Sequence, residues 1–316
     1  MTTALPKIAV TGATGFIGGH LVRALEARGA HITALVRPGF SGSIGNADLV
    51  EGRLRNRDAL GDLCAGADAV VHLAGLTKAR TLNDFRAVNA IGAGEMANVA
   101  AESGCRLFVQ GSTLAAREPQ LSDYAATKRG GEDAVLANAG AMRVCIVRIP
   151  AVFGPDDPAT KPFFDTMRAG WLPAPGGETG RSGKISLIFV TDLANFLAET
   201  ALSADPPELV SPAGILDTRW ADMADAAGDA LGKPVRLLPI PPFFLHIAGA
   251  AAEVFSKLTG RPGHLNRGKV REMLHMDWSA DAQVSRALTL SRAMALAFGV
   301  DADARKGQTP AGSGVG

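Results

Sequence analysis

The feature that most constrains the fold is a glycine-rich stretch near the start of the chain, KIAVTGATGFIGGH at residues 7–20. An apolar run leads into three glycines, and an amphipathic run follows without a break, which predicts a strand, a tight turn and a helix. Gly12 permits the turn, Gly15 lets the backbone approach a pyrophosphate, and Gly18 lets the helix lie close to the strand. The helix N-terminus would then face the phosphates. Because the spacing is G-x-x-G-x-x-G rather than G-x-G-x-x-G, a purely structural turn remains the alternative.

The composition is typical of a globular protein with balanced charge. Its 316 residues are 47% hydrophobic and carry a formal net charge of +1, without a basic cluster, which argues against nucleic acid as a partner. Three widely separated cysteines predict buried thiols in a reducing compartment. The six histidines lack the spacing of metal ligands, so we expect no metal site.

The sequence predicts neither a signal peptide nor a membrane-spanning segment. The N-terminus runs directly into the first strand, which predicts no signal peptide. Charged residues and prolines interrupt the longest apolar run, at residues 240–258, so it indicates a packed helix or pocket wall and no membrane span. The expected location is the cytoplasm.

Apolar strands alternate with amphipathic helices over the first half of the chain. The predicted strands are at residues 8–10, 31–37, 47–50, 68–75, 106–111 and 144–149, with helices at 58–65, 82–101 and from 124 onward. This alternation predicts a doubly wound parallel α/β sheet, the Rossmann architecture that binds dinucleotides. Arg37 ends the second strand, where an acidic residue would hold the ribose 2′-hydroxyl of NAD, so NADP is the preferred cofactor and NAD the alternative.

The second half of the chain changes character after a proline-rich loop. We assign residues 1–155 to the cofactor domain and expect 185–202 to return to it. Residues 156–184 and 203–300 form a smaller, mostly helical substrate-binding part. The small, polar residues 301–316 predict a disordered tail.

The chain contains a single tyrosine, Tyr124, four residues before Lys128. On a helix the two side chains share one face, and the ammonium together with a nearby nicotinamide cation would lower the phenol pKa from ~10 toward ~7. Thr113 follows the fifth predicted strand and could hydrogen-bond a substrate oxygen. All three residues fall near the carboxyl ends of strands, where ligands bind in such sheets.

Five motifs together resemble those of the extended short-chain dehydrogenases/reductases, also called the NAD-dependent epimerase/dehydratase family. They are TGATGFIG at 11–18, HLAG at 72–75, NAIG at 89–92, RIPAVFGP at 148–155 and IFVTDLA at 188–194. The resemblance implies that Thr113 orients the substrate, that Tyr124 is the acid/base, and that Lys128 holds the nicotinamide ribose. It also implies a homodimer and further cofactor contacts from Gly12, Thr14, Gly15, Phe16, Ile17, Gly18, Arg37, Leu54, Leu73, Ala74, Gly75, Asn89 and Ile149.

Departures from the family pattern concern the substrate. Ile185 and Phe189 occupy places where members acting on nucleotide sugars carry arginine and histidine, and Pro150-Ala151 replaces an asparagine. Apolar groups there favour an uncharged, apolar small-molecule substrate, as in the dihydroflavonol reductase and 3β-hydroxysteroid dehydrogenase branch. The predicted function is interconversion of a secondary alcohol and a ketone. A nucleotide-sugar epimerase or dehydratase and a non-catalytic dinucleotide-binding subunit are the alternatives.

Overall fold

A seven-stranded sheet forms the centre of the molecule in the computed structural model, which describes residues 5–176, 183–259, 263 and 265–300. The strand order is β10-β6-β5-β4-β1-β2-β3, and every neighbouring pair is parallel. The strands are β1 (Lys7–Thr11), β2 (His31–Val36), β3 (Asp48–Glu51), β4 (Ala69–His72), β5 (Leu107–Thr113), β6 (Arg143–Ile149) and β10 (Leu209–Val210). After β3 the chain crosses to the other side of β1 to form β4, so the strand order switches between β1 and β4, and open α/β sheets bind ligands at such a point.

Helices cover both faces of this sheet. They are α1 (Phe16–Glu26), α2 (Arg57–Cys64), α3 (Leu82–Arg86), α4 (Ala93–Glu102), α5 (Asp123–Asn138) and α7 (Val190–Leu202). One apolar core joins α1 and α7 to the sheet, and a second joins α2, α4 and α5 to its other face. Because the central strands are buried on both sides, their sequences are apolar without interruption. The predicted Rossmann fold is confirmed.

Two local details differ from the sequence-based expectation. No helix separates β2 from β3, which are joined by the loop 37–47. The helix predicted over 82–101 is instead α3, a π-helical segment (Ala87–Gly92) and α4 in succession. Such π segments are inserted into α-helices frequently at functional sites.

A smaller part is built on the strands β7 (Ala151–Phe153), β9 (Lys184–Phe189), β12 (Ile215–Thr218) and β14 (Asp277–Trp278), which form one mixed sheet. The expectation that 185–190 joins the main sheet is wrong: β9 pairs with β7, β12 and β14, while α7, which follows it, packs on α1. An apolar run satisfies either sheet equally, so the sequence pattern could not choose.

The remaining elements make this part mixed rather than mostly helical. Two strand pairs, β8 (Trp171–Pro175) with β13 (Arg236–Ile240) and β11 (Pro212–Ala213) with β15 (Ala282–Gln283), lie beside its helices. Those helices are α6 (Lys161–Arg168), α8 (Trp220–Leu231), α9 (Pro242–Thr259), α10 (Arg267–Leu274) and α11 (Leu290–Ala297). The predicted tail, 301–316, lies outside the described residues. Within the described ranges, no helix is both long enough and apolar enough to cross a membrane.

Candidate active site

The glycine turn between β1 and α1 lies against the loop that follows β4. Gly12 has φ +75°, and a Cβ atom there would stand 2.7 Å from both the Ala74 nitrogen and the Leu73 carbonyl carbon. Only glycine therefore fits, both for its backbone conformation and for the space available. The turn sits at the crevice between β1 and β4, where the fold binds its ligand.

The N-terminus of α1 is open to a ligand. Gly15 is its N-cap residue, and no side chain caps the helix or places an acid in its first turn. Thr14 and Gly15 are exposed, whereas Phe16 and Ile17 are half-buried. Free N–H groups at a helix N-terminus form an anion site, and the bare Gly15 backbone leaves room for a phosphate to approach. The geometry therefore fits a dinucleotide.

Close packing of α1 on the turn makes Gly18 a sensitive position. A Cβ atom on Gly18 would overlap the Gly12 carbonyl oxygen and stand 2.7 Å from the Ala13 Cα, whereas one on Gly19 would have its nearest neighbour at 4.0 Å. We expect Gly18→Ala to lower the free energy of unfolding by about 2 kcal/mol through overpacking. Gly19→Ala, the control, should raise it by about 0.5–1 kcal/mol through helix propensity. Urea unfolding of both variants tests this, and equal stabilities would contradict the packing.

The other predicted cofactor residues surround the same edge of the sheet. Arg37 is exposed at the end of β2, next to β1, and half-buried Leu54 follows β3 and packs on Gly92. Leu73, Ala74 and Gly75 form the loop after β4, and Ile149 ends β6 directly opposite Thr113. The structure brings the predicted residues to one edge, as parallel strands require.

Asn89 belongs to the π-helical segment and holds the loop after β4. Its Oδ1 accepts from the Leu76 nitrogen at 2.7 Å, and its Nδ2 donates to the Leu76 oxygen at 3.0 Å and to the Thr127 hydroxyl at 3.3 Å. Its amide is thus committed to the chain itself. Asn89 shapes the crevice by tying the loop to α5.

A buried contact that sequence reasoning missed links β1 to β4. The Thr11 hydroxyl lies 2.8 Å from Nδ1 of His72 and accepts a bond from the Ala74 nitrogen. Burial, with a smaller contribution from the Lys128 charge, lowers the pKa of His72 to about 3. His72 is therefore neutral at physiological pH and acts as a hydrogen-bonding strut. In the part of the chain that the structure describes, no group of His, Cys, Asp or Glu side chains could hold a metal ion.

Thr113 and Tyr124 meet above the carboxyl end of β5, but the phenol pKa shifts opposite to the sequence-based expectation. Burial raises the pKa of Tyr124 to about 12; a hydrogen bond with Thr113 lowers it, and the negative charge of Glu272 raises it. Desolvation of the phenolate outweighs any benefit from Lys128, which was expected to act together with a nicotinamide cation. Tyr124 is thus protonated at neutral pH.

Lys128 is buried, one helical turn beyond Tyr124. Its Nζ donates to the Gly111 oxygen at 2.6 Å and points toward the exposed Gly75. Burial lowers the pKa of Lys128 to about 8, against the opposing charge of Glu132. Gly111 fits its position for a steric reason: a Cβ there would stand 2.6 Å from the Leu73 side chain.

A buried ion pair supports the helix that carries Tyr124 and Lys128. Glu132 of α5 is only 2% exposed, and its Oε2 lies 2.6 Å from the Arg148 guanidinium of β6. The Ser112 hydroxyl donates to the other carboxylate oxygen at 2.5 Å. Arg148, the first residue of the RIPAVFGP motif, therefore holds α5 against the sheet.

The N-terminus of α5 is also held by residues far along the chain. Ser122 caps α5 by accepting from the Ala125 nitrogen, and its hydroxyl donates to the buried Glu272 carboxylate of α10. Arg271 donates to the Leu121 oxygen at 2.7 Å, and Arg117 donates to the Ser279 oxygen at 2.7 Å. The segment from α10 to β14 is thus clamped beside Tyr124, a contact that no local motif signals.

The negative charge of Glu272 affects the pH at which the Tyr124 phenol titrates. Because its negative charge raises the pKa of Tyr124, we expect Glu272→Gln to move the titration midpoint of the phenol to lower pH. Tyr124 is the chain's one tyrosine, so tyrosinate absorbance reports it alone. The neutral phenol exists below the midpoint and is lost as pH rises through it. The control Glu102→Gln, on the exposed surface pair with Arg57, should leave the midpoint unchanged; an unmoved midpoint in Glu272→Gln would refute the assignment.

Comparison with known proteins agrees with this geometry. The family model described as "NAD dependent epimerase/dehydratase family" matches residues 8–197. A ceramide reductase from Caulobacter vibrioides (strain NA1000 / CB15N) is 38% identical over 288 residues, covering 88% of this chain and 87% of that protein. A 4-hydroxy-2-methyl-3-oxo-4-farnesyl-3,4-dihydroquinoline-1-oxide ketoreductase from Stigmatella aurantiaca is 33% identical over 182 residues, covering 50% and 54% of the two chains.

A solved structure shares the fold. MoeE5, solved with UDP-glucose and NAD, superposes with a TM-score of 0.67 at 19% identity, covering 93% of this chain and 97% of its own. The family match spans the glycine turn, the strand ends around the crevice and α5. The chain belongs to the NAD-dependent epimerase/dehydratase family, the extended short-chain dehydrogenases/reductases, and is an NAD-dependent oxidoreductase.

Proposed function

We propose that the protein is an NADPH-preferring reductase that converts a ketone on a long-chain, ceramide-like lipid into a secondary alcohol. The observation that carries this proposal is the extent of the similarity to the ceramide reductase, which covers 88% of this chain. It therefore extends past the cofactor domain into the C-terminal part, where substrate specificity resides in two-part enzymes of this kind. The match to the farnesyl-quinoline ketoreductase covers half of the chain and supports the reaction type rather than the substrate.

The protonation state of the site suits reduction. A ketone that is being reduced develops negative charge on its oxygen and needs a proton donor. Tyr124, protonated with its pKa at about 12, would donate that proton and be reprotonated from solvent. Thr113, hydrogen-bonded to the phenol, would orient the ketone oxygen. When bound, the nicotinamide supplies the hydride to the carbonyl carbon.

The cofactor would be held by residues of the chain already placed at the crevice. The α1 N-terminus with Gly12 and Gly15 would bind the pyrophosphate, and Lys128, with its ammonium beside Gly75, would hold the ribose. Leu54 and Ile149 would pack on the rings. Because an oxidised nicotinamide ring is cationic, its charge would, together with the Lys128 ammonium, stabilise the phenolate that Tyr124 becomes.

The apolar replacements favour a lipid by what they remove. Phe189 is 3% exposed and packs against Phe153 in the core of the smaller part, with ring centroids 5.5 Å apart. Ile185 is half-buried. Neither residue offers a diphosphate the cation or donor that it needs. Phe189 would therefore affect substrate specificity because it offers no polar contact to a diphosphate, and not because it lines a pocket.

The proposed function is tested by following NADPH consumption with a long-chain ketoceramide, a short aliphatic ketone and UDP-glucose. We expect oxidation of NADPH with the ketoceramide, slower reaction with the short ketone, and no conversion of UDP-glucose. Product analysis by mass spectrometry should find the ketoceramide heavier by two hydrogens. Turnover of UDP-glucose with the nicotinamide unchanged would instead assign the protein to the epimerases, the second candidate, which the likeness to the UDP-glucose-bound MoeE5 fold favours.

Arg37 is the residue proposed to select NADPH. A guanidinium at the end of β2 would pair with the 2′-phosphate, so we expect Arg37→Ala to weaken NADPH binding about tenfold to a hundredfold, with NADH binding nearly unchanged. Arg53→Ala, an exposed arginine after β3, is the matched control and should alter neither. Fluorescence titration measures the dissociation constants of NADPH and NADH for both variants and for the unmodified protein. An equal loss for both cofactors would remove the selectivity role.

Assembly and location are proposed on the same footing. Ile91 and Leu136 are 65% and 56% exposed on the π-helical segment and α5, the region that family resemblance assigns to a homodimer contact. Light scattering of Leu136→Glu beside the unmodified protein tests that dimer. The cytoplasm is the proposed compartment, supported by Cys64, Cys105 and Cys145, which are all buried free thiols.

A further inference from the structure

Helix α9 carries an exposed apolar face that the proposed reaction does not use. Six large side chains on it are between 51% and 81% exposed: Phe243, Phe244, Ile247, Val254, Phe255 and Leu258. At 100° per residue they fall, with Ala248 and Ala251, within an arc of about 140° that contains no polar residue. A soluble chain rarely leaves so continuous a patch uncovered.

The opposite side of α9 is fixed to the protein. Leu245 is 6% exposed, and a Cβ on Gly249 would stand 2.7 Å from the Val270 side chain of α10. The helix is therefore held by α10 and turns its apolar arc outward. Helix propensity does not account for the exposed phenylalanines of α9, because phenylalanine is a weaker helix former than alanine, leucine or lysine.

Basic residues border the arc. Arg267 and Arg271 lie around the same shallow depression as Phe243, His246 and Ile247. Residues 257–271 contain Lys257, Arg261, Arg267, Lys269 and Arg271 and no acidic residue, although the whole chain has a net charge of only +1. Among the described side chains, Arg267 lies 3.9 Å from Glu253 and Lys269 lies 3.0 Å from Glu272, so Arg271 gives the border of the exposed apolar face a net positive charge.

We infer that α9 lies in the surface of an anionic lipid bilayer, with its apolar arc at the acyl boundary and the neighbouring cations among the phosphates. An exposed apolar arc with a basic border is the pattern of interfacial helices. No described helix spans a bilayer, so the helix lies parallel to the surface. A second copy of this chain fits less well, because a twofold contact through α9 would bring two basic segments together.

Vesicle sedimentation of the full chain without substrate tests this inference independently of the reductase activity. We expect binding to phosphatidylcholine vesicles containing about one third phosphatidylglycerol and at least tenfold weaker binding to phosphatidylcholine alone. Raising the salt to about 0.5 M should weaken the binding. Phe243→Glu/Phe255→Glu should lower it at least tenfold. Leu5→Glu, at a side chain 67% exposed in the N-terminal part, should not.

Several outcomes would overturn the inference. One is that the unmodified protein fails to sediment with either vesicle. Another is that the double variant, folded by its melting curve, binds as well as the unmodified protein. If light scattering finds that the double variant dissociates a dimer while the unmodified protein ignores vesicles, the face is a contact between copies. Should the double variant not fold, the comparison of vesicle compositions and salt on the unmodified protein decides alone.

Discussion

Replacing Tyr124 by phenylalanine is expected to lower turnover of the ketone about a hundredfold or more, while NADPH binding stays within about twofold. The change removes the proposed proton donor and keeps the ring, which lies 6.2 Å from Phe85 between ring centroids. Steady-state kinetics with the ketoceramide gives turnover, and fluorescence titration gives NADPH affinity.

The control for this prediction changes Thr113, the hydrogen-bond partner of the Tyr124 phenol. Thr113→Val should also slow turnover but leave the phenol present, and it should move the tyrosinate midpoint to higher pH because the bond from Thr113 lowers the pKa of Tyr124. A purely structural role for Tyr124 would leave the pH profile of turnover unchanged. Full activity in Tyr124→Phe would exclude the tyrosine as proton donor.

Breaking the ion pair beneath α5 should produce the largest loss of stability. Arg148→Leu leaves the Glu132 carboxylate buried at 2% side-chain exposure without its nearer cation, since Arg129 stays 4.0 Å away. We expect the free energy of unfolding to fall by about 3–5 kcal/mol. Denaturant unfolding followed by circular dichroism measures it.

The same strand offers a matched control. Arg143→Leu removes a pair with Asp205 whose side chains are 55% and 84% exposed, so it should cost less than about 1 kcal/mol. Replacing both buried partners, Arg148→Met with Glu132→Leu, should recover most of the loss, since apolar groups tolerate the dry site. If Arg143→Leu and Arg148→Leu cost the same, burial does not set the value of the pair.

The glycine turn and the order of elements around it could be predicted from the sequence because both depend on local chemistry. Gly12 needs a conformation and a space that no other residue fits, and the periodicity from strand to helix identifies the parallel sheet. The i, i+4 spacing of Tyr124 and Lys128 likewise placed them on one helix face.

The features that the sequence concealed depend on distant packing. The direction of the Tyr124 pKa followed from burial, which no spacing reveals, and Glu272 approaches Ser122 only because α10 folds back on α5. The β9 strand could have joined either sheet, since its apolar pattern suits both. The π-helical segment arises within a stretch whose periodicity resembles an ordinary helix.

The clamp between Ser122 and Glu272 has a consequence for how the protein is made. The two residues are 150 positions apart, so at about 5–20 residues per second the ribosome adds the second some 8–30 s after the first. When Ser122 is added, the glycine turn and the strands β1 to β5 have already been made, and β6 follows within the interval. Tyr124 acquires its final electrostatic surroundings only when α10 arrives. A protease that removed the last fifty residues would therefore leave a fragment that keeps the residues of the nucleotide crevice and Tyr124 but lacks Glu272, whose charge raises the phenol pKa.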